Sequence, residues 1–162
     1  MDKLSWIVEA EKFTGLHEIK GAANESKILN FWQAIKMGGI KDDETPWCAA
    51  FVGACLENAG IKSTRTGWAR SYMTWGIALS KPVYGCIVVF SRPGGGGHVG
   101  FVIGMDKTGR LLVLGGNQGD MVKVSPFDLT RVIAYRWPST INFPMVALSA
   151  SDNNEMSSTN EA

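Results

Sequence analysis

The apolar pattern of this chain changes period once, near Pro82, and that change decides the fold class. Before Pro82 the spacing is helical. Leu4, Ile7, Val8 and the stretch from Glu11 to Phe13 follow it up to Gly15. A second helix is expected to open at Asn24, to bury Ile28, Leu29, Phe31, Trp32 and Ile35, and to stop at Gly38 and Gly39. A third starts at Pro46, carries Phe51, Val52, Cys55 and Leu56 inward and ends near Gly60, and a shorter one covers Ala69 to Leu79. Beyond Pro82 come short runs rich in branched and aromatic residues: Ile87–Phe90, Val99–Met105, Leu111–Leu114, Val122–Val124 and Val132–Trp137. Such runs, separated by glycine or polar turns, read as strands, with KTGR at 107–110 as a hairpin turn. Helices followed by strands predict an α+β domain, with N-terminal helices packed on a C-terminal antiparallel sheet.

Composition narrows the function classes. A chain of 162 residues fits one domain with a real core. A net charge of +1 is far from the basic excess of a nucleic-acid surface, so no nucleic-acid partner is expected. No stretch approaches the roughly 20 apolar residues of a membrane span, so no stable membrane insertion is expected. The start, MDKLSWIVEAEKF, has no basic leader with an unbroken apolar run, which predicts synthesis in the cytoplasm without a signal peptide. The tail from about Ser149 is polar and aperiodic and is expected to be disordered. Cys48, Cys55 and Cys86 are an odd number and do not read as a disulfide framework. On one helix Cys48 and Cys55 would stand about 10 Å apart along the axis, too far for a bridge.

Cys48 is the first chemically interesting position. Thr45 suits an N-cap and Pro46 the first helical position, which sets Cys48 among backbone N–H groups that lack carbonyl partners. The positive end of the helix dipole favours a thiolate there, and the free N–H groups favour an oxyanion. The alternative is a buried core cysteine, the reading that fits Cys55 and Cys86. A cysteine nucleophile needs a base. His17 reads as a loop residue beside Glu18 and Lys20, whereas His98 follows PGGGG at 93–97 and opens an apolar strand. If the next strand returns through the 107–110 turn, a residue near 119 faces His98. A bulge or small shift then brings Asn117 or Gln118 of GGNQGD beside the ring, where either amide could orient it. A zinc site is the competing use of Cys and His, but there is no C-x-x-C pair and the residues are scattered.

In order and spacing, WCAAF on a helix, GGGGHVGFV and GGNQG on strands resemble the CHAP family of cysteine, histidine-dependent amidohydrolases and peptidases. That group has the papain-like fold of NlpC-type cell-wall hydrolases, and small single-domain forms act as phage endolysins. The resemblance runs from about residue 3 to residue 138. It implies a catalytic domain at 1–138 followed by an extension at 139–162. It also implies Cys48 as nucleophile, His98 as general base and Asn117 as orienting residue, with Gln118 in reserve. Many members carry an acidic residue two positions before the asparagine, where this chain has Gly115, and an aspartate where it has Cys86. The implied substrate is peptidoglycan, cut at the muramyl–L-alanine amide or at a peptide bond of the stem or cross-link, with no cofactor and no metal.

Trp47, Trp68 and Gln118 are candidates to bind that substrate, and TGWARSYMTWG at 66–76, with Tyr72 and Trp75, is a candidate groove wall. Core packing is the competing reading of those aromatics. A monomer acting in the periplasm of a Gram-negative host, after release through a separate membrane lesion, is the expected setting. An injected antibacterial effector fits equally well. A non-catalytic wall-binding or virion protein on the same fold is the alternative, against which the Cys48 and His98 pair argues. A lipid acyltransferase on the same scaffold would be expected to show a membrane-anchoring segment, and none is evident.

Overall fold

A computed structural model of the protein describes residues 4–17, 26–37, 47–93, 96–142, 148 and 150–151. Three helices precede the sheet: α1 (Ser5–Glu11), α2 (Ser26–Ala34) and α3 (Cys48–Asn58). The strands are β1 (Ile77–Leu79), β2 (Ile87–Ser91), β3 (Gly97–Asp106), β4 (Leu111–Gly115), β5 (Lys123–Phe127), β6 (Val132–Trp137) and β7 (Ala150–Ser151). They form one sheet in the order β1-β6-β2-β3-β4-β5, with β7 beside β3. All pairings are antiparallel except that of β7. The α+β class expected from the change of period is the class found.

Helix α3 lies at the centre because its sequence is apolar nearly all the way round, and every residue from Cys48 to Leu56 is buried. It packs against α1 and α2 and against β3 and β4. Ala49, Ala50, Gly53 and Ala54 permit close approach: a Cβ on Gly53 would run into Ile35 just past α2. An aromatic cluster fills the space between helices and sheet. Phe31 stands edge-on to Phe13 and Phe51 at 5.0 and 5.5 Å, and Phe51 reaches Phe101 of β3 at 6.3 Å.

The turn at 107–110 closes the β3–β4 hairpin as expected. Asp106 organises it: Oδ1 accepts from Thr108 N, Thr108 Oγ1 and Arg110 N, and Oδ2 accepts from Arg110 Nε at 2.7 Å. Burial alone would raise the Asp106 pKa, but these bonds outweigh it and bring it down to about 2.

Three expectations need correction. The helix expected over Ala69 to Leu79 is a short 3-10 helix, Ala69–Thr74, after which Gly76 (φ 63) turns the chain into β1. Pairing with β6, Ile77 opposite Trp137, overrides the local helical spacing there. The tail expected to be disordered from about 149 contributes Ala150–Ser151 to the sheet beside Met105 and Asp106, while residues 152–162 lie outside the described residues. The third helix starts at Cys48 with Trp47 at the N-cap, not at Pro46. The cap assigned to Thr45 and Pro46, and the helix limits at Asn24, Gly38 and Gly39, fall outside the described residues.

Candidate active site

Cys48 is the first residue of α3. The first i to i−4 bond of the helix runs from Phe51 N to Trp47 O, so the N–H groups of Cys48 to Ala50 precede the regular ladder. The backbone groups of Val99 and Ala49 lie close enough to the sulfur to favour its charged form. Val99 directly follows His98 on β3, so the helix start and the histidine-bearing strand meet at this thiol. Trp47 secures the junction. It is fully buried, lies 6.1 Å from the Phe31 ring, and leaves so little room at Gly116 that a Cβ there would come within 2.7 Å of it.

Burial works against a thiolate at the helix start. Cys48 is 4 % exposed, and burial pushes its pKa up; the backbone groups of Val99 and Ala49 and the positive charge of Arg92 only partly offset this. This direction runs against the ionised sulfur expected from the helix start. Cys55 and Cys86 are buried thiols, also pushed upward, the latter to about 12.

His98 is 0 % exposed. Its partner is Gln118: Oε1 lies 2.9 Å from His98 Nε2. The amide orientation follows from the other end, where Gln118 Nε2 donates to Val113 O at 3.1 Å and to Lys123 O at 2.8 Å. Two carbonyls require the nitrogen there, so Oε1 faces the ring and can only accept. His98 Nε2 therefore carries the hydrogen, and Nδ1 holds the lone pair. Among the described residues Nδ1 has no hydrogen-bond partner. Burial lowers the His98 pKa to about 4; the Gln118 bond pulls it upward, while Arg131 and Arg92 push it down. The ring also stacks against an aromatic pair, Phe127 at 5.4 Å and Phe90, its cross-strand neighbour, at 6.3 Å, which are themselves stacked at 4.5 Å.

The backbone explains why Gln118, and not Asn117, holds the ring. Phe101 pairs with Leu114, and a bulge between Val102 and Gly104 shifts the register relative to a simple hairpin. Continued past Gly115, that register brings Asn117 level with His98. Asn117 instead turns the chain at φ 60, is buried, and Gln118 reaches back beneath the turn. Gly115 makes this path available. A Cβ there would collide with Gln118 Oε1 and stand 3.5 Å from His98 Nε2.

The expected substrate-binding residues divide. Trp47 and Gln118 are interior, and Trp68 is 62 % exposed. Tyr72 is buried, and Trp75 is anchored through Nε1 to Lys62 O at 3.0 Å. His17 forms an isolated bridge with Met121. Phe90 and Phe127 were not singled out by sequence as site residues; Phe90 lies in the apolar run of β2, and Phe127 ends β5, two strands from His98. Among the described residues no group of three His, Cys, Asp or Glu side chains gathers as a metal site. No helix among them is long and apolar enough to cross a membrane.

Comparison with known families matches residues 40–117 to the CHAP domain, a segment that spans Cys48, His98 and Asn117. The family is one of hydrolytic cysteine- and histidine-dependent amidohydrolases and peptidases, associated with peptidoglycan. No curated protein and no solved structure matches the chain.

Proposed function

From the premise that residues 40–117 are a CHAP domain, we propose that this protein hydrolyses an amide bond of peptidoglycan through Cys48 and His98, with Gln118 as the residue that positions the imidazole. The observation that carries the reading is the protonation pattern of His98. Gln118 holds Nε2 as a donor at 2.9 Å, and the nitrogen left to accept a proton is Nδ1, on the residue next to Val99, whose backbone acts on the ionisation of Cys48. Asn117, the orienting residue implied by sequence, shapes the turn that delivers Gln118.

The resting pair is a neutral thiol and a neutral imidazole, because burial disfavours both charged forms. His98 Nδ1 takes the Cys48 proton as the sulfur attacks the substrate carbonyl carbon. The electron pair of the C=O bond moves to oxygen, and the N–H groups at the start of α3 receive that oxyanion. Collapse of the tetrahedral intermediate breaks the C–N bond, and His98 returns the proton to the leaving amine. Water, deprotonated by Nδ1, then cleaves the thioester and regenerates the thiol. The scissile bond is the muramyl–L-alanine amide or a peptide bond of the stem or cross-link. An endolysin-like role, reaching the wall only after release from the cytoplasm, follows from the resemblance to small phage lysins.

Digestion of purified peptidoglycan, with mass spectrometry of the fragments, tests the reading. Free L-alanine amines on intact stems identify an amidase, and cut stems or cross-links identify an endopeptidase. Fragments identical to those of a mock digest refute the proposal.

A further inference from the structure

Three guanidinium groups gather round the segment that carries His98. Arg70 Nε donates to Gly96 O at 2.6 Å, and its stem lies so close to Gly97 that a Cβ there would stand 3.1 Å from Arg70 Cγ. Arg131 donates from Nε and Nη2 to Ser91 O at 3.2 and 3.0 Å. Its Cζ stands 5.9 Å from the Phe90 ring centre and 5.7 Å from that of Phe127, the two rings stacked with His98. Arg92 follows Ser91, which faces Gly97 across the β2–β3 pair, so it leaves the sheet at the His98 end. It is half-buried, and its charge is felt at Cys48, His98 and Arg131.

Among the described residues, the acidic partners of this group are unevenly placed. Asp128 acts on Arg131, and none of the ion pairs between described residues involves Arg70 or Arg92. Like charges held together in this way repel one another, and an anion relieves that repulsion. Guanidinium groups also bind carboxylates through two parallel N–H···O bonds, a geometry that lysine lacks.

We propose that Arg92, with Arg131 behind it, forms a subsite for a free carboxylate next to the scissile amide of the peptide substrate. The inference rests on the hydrolase reading and refines it. The preferred substrate is an acidic peptide with an ionised carboxylate near the bond to be cut, and the same peptide with that group amidated is a poor one.

The test uses the full chain with Cys48→Ala, which binds without turnover, and two synthetic stem peptides that differ only in carboxylate or carboxamide. The acid form is expected to bind about tenfold tighter at low salt, with the preference shrinking as ionic strength rises. Arg92→Gln in that background removes the preference, and Arg92→Lys retains part of it. Thermal melting of each variant checks the fold. Equal affinity for both peptides, binding of neither, or a preference that survives in folded Arg92→Gln overturns the subsite. The hydrolase reading is scored separately: wild type that cuts carboxylate and carboxamide peptides at equal rates refutes the subsite and leaves hydrolysis standing, whereas cleavage of neither counts against hydrolysis.

Discussion

Gln118→Ala isolates the orienting role. The side chain makes three buried or partly buried hydrogen bonds: His98 Nε2 at 2.9 Å, Val113 O at 3.1 Å and Lys123 O at 2.8 Å. Truncation strands the ring N–H in a site without water-exposed surface, which costs about 1–3 kcal/mol, and leaves two carbonyls to find other donors. The whole substitution is therefore expected to destabilise the fold by about 2–4 kcal/mol. Its larger consequence is chemical. Without the acceptor, the ring no longer favours hydrogen on Nε2, and the tautomer with hydrogen on Nδ1 cannot take the thiol proton. A loss of about 2–3 kcal/mol of transition-state stabilisation lowers kcat/KM by roughly 30- to 150-fold.

Gln118→Glu separates orientation from stability. It keeps an oxygen towards His98 but adds a charge, which raises the His98 pKa above its value of about 4. Since neutral imidazole is the active form, activity is lost as pH falls through the His98 pKa, and the acid limb moves to higher pH in this variant. The assay is release of soluble fragments from dye-labelled peptidoglycan between pH 3 and 8, roughly the window in which histidine titrates, with urea titrations of each variant. A folded Gln118→Ala with wild-type kcat/KM, or a Gln118→Glu profile that coincides with wild type, refutes the assignment.

Other consequences follow from the same geometry. Gly115→Ala drives a methyl group into Gln118 Oε1 and is expected to cut activity at least about tenfold; in a Gln118→Ala background the same change is nearly neutral, and additive losses would contradict the shared mechanism. His98 has a depressed folded pKa, about 4 against 6.5, so protons bind the unfolded chain more tightly. Its contribution, about 3 kcal/mol, is present above the unfolded value and lost as pH falls through the folded one. Urea midpoints between pH 7 and pH 4 should show that slope in wild type and a flatter one in His98→Gln; equal slopes oppose it. Cys48, buried with its pKa raised, should react with iodoacetamide near neutral pH at least about tenfold more slowly than an exposed thiol, and fast labelling would show a resting thiolate.

What could be read from the sequence was whatever local pattern determines. The branched runs after Pro82 became β2 to β6, and the apolar CAAFVGACL became the central helix, because burial of those residues is their main source of stability. The three-residue strand β1 was hidden, since Ile77–Leu79 takes its conformation from pairing with β6, whose residues lie some sixty positions away. The parallel contact of Ala150–Ser151 with β3 had no signal in a polar tail. At the site, Cys48 and His98 stood out by position, but the choice between Asn117 and Gln118 depended on one bulge in β3 and one positive φ. The upward direction of the Cys48 pKa was hidden for a related reason. A helix start can be seen in the sequence, whereas the desolvation that raises the thiol pKa comes from packing.

The most direct test compares rates of fragment release from peptidoglycan by Cys48→Ala, His98→Ala and the double variant, each confirmed to be folded. If the two side chains act as one unit, each single change removes at least about a thousandfold and the double variant is no worse than either. Activity near wild type in either single variant, or losses that multiply in the double, would contradict a shared proton between this sulfur and this ring.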